Sequence, residues 1–172
     1  NEIPNLRVIQ EAHKRIKPYI HRTPVLSSSS INQLIEAQLY FKCENFQKVG
    51  AFKMRGATNA IMAYSIEDRK NGFVTHSSGN HAQAVALASK LAGSKAYIVM
   101  PNNAPEVKKK AVEGYGAEVT YCEPNESARE ATCDEVIKRT NAIFIPPFND
   151  SRIIAGQATA AKELLEEHPD LD

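Results

Sequence analysis

The sequence predicts an α/β protein with a four-stranded parallel sheet. Between about residues 66 and 150, short apolar segments alternate with segments of helical pattern. Strands that are separated by helices of this size imply right-handed crossovers, and hence parallel pairing. The 172 residues are 42% hydrophobic, which is enough for a buried core.

The first 65 residues predict helices and short extended segments. The elements predicted here are a helix over 7–19, an extended segment over 24–26, a helix from residue 31, a strand over 39–43 and a helix over 52–64. The serines at 27–30 could form a flexible linker, but a helical apolar pattern follows them at once. We therefore expect Ser29 or Ser30 to be the N-cap of that helix, because a serine oxygen accepts hydrogen bonds from free backbone N–H groups.

The middle of the chain carries the alternation. Strands are predicted over 72–76, 96–100, 118–121 and 142–145, and helices over 80–91, 105–113 and 126–140. Proline supports several of these bounds, since Pro101 ends the second of these strands and Pro105 opens a helix. A last helix is predicted over 158–167.

Composition excludes several classes of partner. The net charge of +1 provides no field that would recruit nucleic acid or an anionic membrane. No stretch reaches the apolar length of a membrane span. Cys43, Cys122 and Cys133 show neither metal-ligand nor disulfide spacing, so we predict no metal site among the residues of this chain. A sparse, odd number of cysteines favours a reducing, cytoplasmic setting.

The first candidate site is the segment Gly50–Ala57, which places Lys53 between two glycines at the start of a predicted helix. Glycine allows a ligand to approach the backbone closely. A lysine among small and apolar neighbours can lose its proton by desolvation and act as an amine nucleophile. A solvated lysine on an amphipathic helix is the alternative, and this segment alone does not decide between the two.

The second candidate site is the loop from Ser77 to His81, between a predicted strand and a predicted helix. Open α/β sheets bind ligands at this edge, and the first N–H groups of a helix attract anions such as carboxylates. Ser77 and Asn80 could instead be ordinary capping residues, and His81 a buried core histidine. Four polar residues around Gly79 are more than a cap requires, so we favour a binding loop.

These two segments resemble the cofactor-lysine segment and the substrate-carboxylate loop of the serine/threonine dehydratase family of pyridoxal-phosphate enzymes. The matching residues are 45–57 and 77–83, with Thr23-Pro24-Val25-Leu26 before them and Ala155-Gly156-Gln157 after them. The resemblance thus covers nearly the whole chain and is nearest to the branch of the eukaryotic serine racemases. Ala51 departs from it, because many relatives have a serine there.

The resemblance implies fold type II, the fold of the tryptophan synthase β-subunit. Residues 1–65 and 151–172 would belong to a large cofactor domain, and residues 66–150 would form a small domain inserted in it. Family members are about twice as long, so we expect this chain to be an N-terminal half that is inactive by itself. The family's phosphate loop, the partner of the pyridine nitrogen and a divalent-cation site would follow Asp172. The complete protein would be a homodimer.

The resemblance also implies roles for individual residues. Lys53 would bind pyridoxal phosphate and, once released, would remove the Cα proton of an amino-acid substrate. Ser78 would be the acid on the opposite face, Phe52 would lie against the cofactor, and Asn80 would hydrogen-bond to its ring hydroxyl. Arg55 receives no chemical role and is interpreted as structural. The substrate carboxylate would be held by four loop residues: Ser77, Ser78, Asn80 and His81.

The implied activity is racemisation of serine, its dehydration to pyruvate and ammonia, or both. Dehydration of threonine or of 3-hydroxyaspartate is an alternative, and a non-catalytic module that binds an amino acid is an alternative from another class. Lys53 argues against the module, since a carboxylate binder does not need this lysine. A Rossmann enzyme is excluded, because no G-x-G-x-x-G follows any predicted strand.

The racemase branch further implies Mg²⁺ and ATP as activators. The residues that match its nucleotide site are Ser29, Lys48, Gln83, Lys108 and Tyr115. Val49 stands where some relatives have a hydroxyl residue. Polar surface residues of unrelated purpose are an equally good interpretation of these positions.

Overall fold

The computed structural model describes residues 3–171, and this part of the chain forms seven α-helices and six strands. The helices are α1 (Leu6–Ile16), α2 (Ser29–Ile35), α3 (Lys53–Met62), α4 (Asn80–Leu91), α5 (Glu106–Gly114), α6 (Glu126–Thr140) and α7 (Ser151–Glu167). The strands are β1 (Val25–Leu26), β2 (Phe41–Lys42), β3 (Phe73–His76), β4 (Ala96–Pro101), β5 (Glu118–Cys122) and β6 (Ile143–Phe144). Residues 1, 2 and 172 of the expected domain ranges lie outside the described residues.

The sheet of the middle region has the strand order β5-β4-β3-β6, and all of its pairs are parallel. The α/β prediction with a four-stranded parallel sheet is therefore confirmed. All six residues of β4 are buried, as expected for a central strand that helices cover on both faces. Parallel pairing also brings the carboxyl ends of these strands to one edge of the sheet.

Successive residues of the central strands point to opposite faces, and each face has its own apolar cluster. Phe73 and Ile98 belong to the cluster that includes α3 and the alanine-rich α4. Val74 and Val99 belong to the cluster that includes Cys133 of α6. The sheet is thus a layer between helices.

Helix α3 lies at the junction of the fold. It packs against α1, α4 and α7. Strands β1 and β2 form a separate two-stranded antiparallel ribbon, in which Val25 pairs with Lys42. The division into residues 1–65, 66–150 and 151–172 stays a prediction.

The bounds predicted for α4 and α6 are confirmed to the residue. The N-cap prediction for α2 is wrong, because Ser28 is the N-cap and its side chain accepts from the N–H of Ile31 at 3.5 Å. The predicted start of α7 at Ala158 is also wrong. This helix begins at Ser151, because the Asp150 carboxylate accepts from the N–H groups of its first turn. Among the helices described, none has both the length and the apolar character needed to cross a membrane.

Candidate active site

Lys53 is the first residue of α3 and its side chain is half-buried. Its Nζ donates a hydrogen bond to the carbonyl oxygen of Pro147 at 2.8 Å. Burial lowers the pKa of Lys53, because the charged amine loses hydration. This direction agrees with the desolvated lysine expected from the sequence, and the catalytic role of Lys53 stays a prediction. The ring of Phe52, which is 44% exposed, has its centroid 5.3 Å from the same Nζ.

A tight turn delivers the chain to Lys53. The N–H of Gly50 donates to the carbonyl of Gln47 at 2.9 Å, and Val49 and Gly50 have φ angles of 58° and 66°. Glycine adopts this left-handed region freely, whereas a β-branched valine disfavours it. The buried amide of Gln47 braces the turn, since it accepts from the N–H of His21 at 2.9 Å and donates to the carbonyl of His21 at 2.7 Å.

The loop between β3 and α4 leaves the start of α4 open. Ser77 Oγ accepts from the N–H of Gly79 at 3.2 Å. Over the described residues, no side chain caps this helix, so the interpretation of Ser77 and Asn80 as ordinary caps is not supported. A Cβ atom placed on Gly79 would meet nothing within 4 Å. The start of this 12-residue helix therefore has open space beside Gly79 and no side-chain cap, which suits the binding of a carboxylate.

His81 is buried, with 3% of its surface exposed, and its Nε2 lies 3.1 Å from the carbonyl oxygen of Ile145. Burial is the main reason that its pKa falls to about 4; the Ile145 carbonyl opposes this, whereas the charges of Lys53 and His76 add to it. The ring is neutral near pH 7, and Nε2 carries the proton because a carbonyl oxygen only accepts. Nδ1 is therefore an acceptor, and any contact of His81 with a carboxylate must come from its backbone N–H.

One short segment joins the two candidate sites. Lys53 donates to Pro147 and His81 donates to Ile145, and both acceptors lie in the connection between β6 and α7. The sequence reasoning missed these two acceptors. Their position in the sequence could have indicated them, because Pro146-Pro147 follows a predicted strand whose carboxyl end lies at the same sheet edge as Ser77.

A cavity of about 540 Å³ adjoins this segment. Ser77 and Ser78 line it together with Pro147, whose carbonyl holds Lys53, and helix α6 contributes Arg129 between Glu126 and Glu130. A cavity of this size accommodates a small molecule. The structure thus brings Lys53, Ser77, Ser78 and His81 to one region. Arg129 was missed, although it lies in the first turn of a helix that follows a strand at this edge.

The residues present fit an aldehyde cofactor together with a carboxylate substrate. Lys53 supplies a desolvated amine, and the start of α4 supplies uncompensated N–H donors beside the cavity. Phe52 offers an exposed ring beside the amine, and Asn80 is exposed at the first position of α4. The individual roles of these residues stay predictions.

The five residues matched to a nucleotide site are only partly brought together. Gln83 lies on α4, which packs against both the turn that carries Lys48 and the helix α5 that carries Lys108. Tyr115 is the C-cap residue of α5. Ser29 is exposed at the start of α2. Across the described residues, no group of three or more histidine, cysteine, aspartate or glutamate side chains is arranged to hold a metal ion.

Comparisons with known proteins agree on one family. A family model described as "Pyridoxal-phosphate dependent enzyme" matches residues 16–172. The chain is 52% identical to the serine racemase of Dictyostelium discoideum over 97% of this chain and 52% of that protein. It is 49% identical to the β-hydroxyaspartate dehydratase of Paracoccus denitrificans over 99% of this chain and 54% of that protein. The structure of maize serine racemase superposes with a TM-score of 0.97 at 48% identity, over 99% of this chain and 52% of that chain. The chain therefore spans about half the length of these relatives.

Proposed function

Because the chain belongs to the family of pyridoxal-phosphate dependent enzymes, we propose that the complete protein racemises serine, dehydrates it to pyruvate and ammonia, or does both. The observation that carries the proposal is the desolvated amine of Lys53 beside a cavity bordered by Ser77 and Ser78. The 52% identity to a serine racemase supports this substrate. A non-catalytic binding module explains the open start of α4 but gives no reason for the desolvated lysine.

Lys53 would hold pyridoxal phosphate through its amine, with Phe52 and Asn80 as further contacts. When bound, this cofactor withdraws electrons from the Cα of an amino acid, so that the Cα proton becomes removable. The N–H groups at the start of α4 would orient the substrate carboxylate, assisted by Ser77 and Asn80. Lys53, whose pKa is lowered by burial, would take the Cα proton.

Ser78 would act on the other side of the substrate. It lines the cavity, whereas Lys53 reaches the cavity only through its acceptor Pro147. One base does not easily deliver a proton to both faces of a planar carbon, so inversion needs a second group. The Ser78 hydroxyl would donate its own proton on the face opposite Lys53, which gives D-serine. Lys53 would then release the abstracted proton to solvent, and Ser78 would regain a proton from solvent.

The first test replaces Lys53 in the complete protein. Lys53→Arg keeps the positive charge but removes the primary amine, so we expect no visible absorption band on addition of pyridoxal phosphate and no turnover of L-serine. Lys70→Arg is the control, because Lys70 is an exposed lysine paired with Glu67. A Lys53→Arg protein that still gave the band would remove this lysine from its role.

The second test separates the two reactions with Ser78→Ala. Lys53 would still take the proton, so pyruvate formation should persist at a reduced rate. D-serine formation should fall by about 10²–10⁴-fold, the range typical of a general acid–base group. A chiral assay of D-serine beside a pyruvate assay measures both. Equal losses would mean that Ser78 positions the substrate rather than donating a proton.

Dehydration of 3-hydroxyaspartate is a second candidate activity, and Arg129 favours it. Its side chain lines the cavity next to Ser77 and Ser78, where a second substrate carboxylate would need a cation. The 49% identity to a β-hydroxyaspartate dehydratase supports this candidate. Arg129→Leu should lower kcat/KM for 3-hydroxyaspartate by at least about tenfold and leave that for serine nearly unchanged. Equal values in variant and parent would exclude a second carboxylate at Arg129.

Several finer features stay proposals for the complete protein: a homodimer, a cytoplasmic location, and activation by Mg²⁺ and by ATP. The three free cysteines support a reducing compartment. The packing of α4 against the Lys48 turn and α5 supports a shared nucleotide site. Binding of ATP to Gln83→Ala and Lys108→Ala variants, measured by calorimetry, tests that site directly.

A further inference from the structure

Arg55, two residues after Lys53, is fully buried and uses all five of its N–H donors. Nε and Nη2 donate to the two oxygens of Glu44, both at 2.8 Å. Nη1 and Nη2 donate to the two oxygens of Glu163 at 2.9 and 2.8 Å. The fifth donor reaches Thr159 Oγ1 at 3.2 Å. Two bidentate pairs on one guanidinium fix its plane and its position.

The carboxylates bring further partners. Lys42 Nζ lies 2.8 Å from Glu163, and His13 Nε2 lies 3.2 Å from the same carboxylate. We call Arg55, Glu44, Glu163, Lys42 and His13 the Arg55 cluster. Burial lowers the pKa of His13, which favours its neutral form. Two carboxylates are then balanced by Arg55 and Lys42, so the cluster as a whole is neutral.

The placement of this cluster needs an explanation beyond stability. Buried ion pairs are commonly no more stabilising than apolar side chains of similar volume. A cation in the first turn of a helix is also opposed by the positive end of the helix dipole. Arg55 stands in the first turn of α3 without an acidic neighbour in that turn. What such a cluster does supply is a single fixed geometry.

That geometry acts on the helix turn that carries Lys53. Two residues on an α-helix are separated by about 200°, so Lys53 and Arg55 project to opposite sides of α3. The cluster ties the Arg55 side to β2, to the turn at Glu44 and to α7, through groups 11 and 108 residues away in sequence. The Lys53 side is left with Pro147 as its acceptor.

We propose that the Arg55 cluster is a positioning device for Lys53, which holds the first turn of α3 from behind and, because its own charges balance, adds no net charge near the amine. The task of Lys53 itself rests on the proposed function. Arg55 touches neither the cavity nor the amine, so it is a positioning residue and not a catalytic one.

The charged and titratable groups around this turn come from every element packed on it. They are His13 and Arg15 of α1, Lys42 of β2, Glu44, His76 and His81 near the cavity, and Glu163 of α7. Burial lowers the pKa of Lys53, because the charged amine loses hydration.

The first test is Arg55→Lys in the complete protein. Lysine keeps the charge but lacks the planar fork, so it cannot satisfy both carboxylates in the same way. We expect kcat/KM for L-serine to fall by about 10²-fold, as for a reacting group displaced by about 1 Å. Arg139→Gln is the control, because it removes an exposed ion pair with Glu118, away from the cluster, and should leave the rate unchanged. If Arg55→Lys does not fold, Thr159→Val removes one of the five hydrogen bonds and should give a smaller loss of the same kind.

The second test does not depend on the cofactor. The rate at which an amine reagent labels Lys53, followed by peptide mass spectrometry against pH, reports the pKa of its amine. Glu163→Gln leaves an excess positive charge and should lower that pKa, whereas Lys42→Met leaves an excess negative charge and should raise it. If the cluster were merely structural, both variants would melt at a lower temperature, but the pKa of Lys53 would not shift in opposite directions in the two. That result would overturn the proposal. Failure of the proposed function would appear separately, as an absorption band that persists in Lys53→Arg.

Discussion

The region around Lys53 and the region around the parallel sheet share one apolar core, but the region around Lys53 also buries paired charges. Helices α1, α3 and α7 meet over Arg55 and Glu163, two charged side chains at 0% and 1% exposure. We call these helices the lysine region. Strands β3–β6 and helices α4–α6, the sheet region, meet over apolar side chains such as Ile98 and Val85, which are also fully buried. Charge-assisted hydrogen bonds depend on the orientation of the groups, whereas the hydrophobic effect is non-directional and depends mainly on the apolar area that is buried.

This difference matches what each region must do. An amine that attacks and then removes a proton has to be placed within a fraction of an ångström, which directional contacts provide. The loop at Ser77 and the open start of α4 only need rigid support, which the apolar packing of the sheet provides. Each of the following changes acts on one region and has its control in the other.

The largest effect is expected from Arg55→Met. The change leaves the buried carboxylates of Glu44 and Glu163 without their main partner, so unfolding free energy should fall by about 3–5 kcal/mol. Arg139→Met in the sheet region removes an exposed ion pair with Glu118 at 2.7 Å and should cost less than about 1 kcal/mol. Denaturant unfolding of both variants measures the contrast. If both variants lost a similar amount of unfolding free energy, the buried ion pairs of Arg55 would contribute no more than an exposed ion pair.

Acid should weaken the two regions in different pH ranges. The pKa of His81 lies at about 4, below the ordinary 6.5, so the unfolded chain binds this proton more readily and stability falls as pH drops from 6.5 towards 4. The size of this step is about 3 kcal/mol. The partners of Glu163 outweigh its burial and hold its pKa at about 2, below the ordinary 4.5, so its contribution is lost only from pH 4.5 down towards 2. His81→Asn should remove the upper step alone in unfolding measured against pH.

A single methyl group should have opposite effects in the two regions. A Cβ on Gly156 of α7 would lie 2.6 Å from the backbone oxygen of Arg55 and 2.7 Å from Gly56 Cα, so Gly156→Ala should force the helices apart and cost about 1–3 kcal/mol. Gly114 of α5 has nothing within 4 Å, so Gly114→Ala should stabilise by a few tenths to about 1 kcal/mol through helix propensity. Melting temperatures should move in opposite directions. A stabilising Gly156→Ala would contradict the close approach of α3 and α7.

The smallest effect is expected at a helix cap. Asn125 Oδ1 accepts from the N–H of Ala128 at 2.8 Å at the start of α6, and Asn125→Ala should cost about 1 kcal/mol. Asn125→Ser keeps an acceptor and should cost less. Asp150→Ala in the lysine region should cost more than Asn125→Ala, because this carboxylate also binds the Arg152 side chain at 2.8 Å. Thermal unfolding of the three variants ranks them.

The sequence predicted the sheet region better than the lysine region. Helices such as α4 and α6 are bounded by local signals, a glycine or asparagine before them and apolar spacing within them, so their bounds were confirmed. The predicted start of α7 is too late in the chain, because the helix begins at the Asp150 cap rather than at the alanine-rich segment from Ala158. Apolar periodicity and caps are local, and they can be read along the chain.

The Arg55 cluster is not local. Glu163 falls on the same face of α7 as Gly156 and Thr159, at spacings of three and four residues, which is a signal of a buried carboxylate. The sequence does not say which cation, out of 21 lysines and arginines, meets it. The sites at Lys53 and Ser77 were found because their residues are contiguous, whereas their common anchor at Ile145 and Pro147 depends on the sheet order.

The long separation between Arg55 and Glu163 has a consequence for synthesis on the ribosome. Glu44 lies 11 residues from Arg55 and emerges before it, but Glu163 follows 108 residues later, after the whole of β3–β6. The sheet region can therefore condense first, as domains do during translation. Until Glu163 is synthesised, Arg55 of helix α3 can pair only with Glu44. At an elongation rate of about 5–20 residues per second, that interval lasts on the order of 5–20 s, during which a chaperone has access to the half-paired helix.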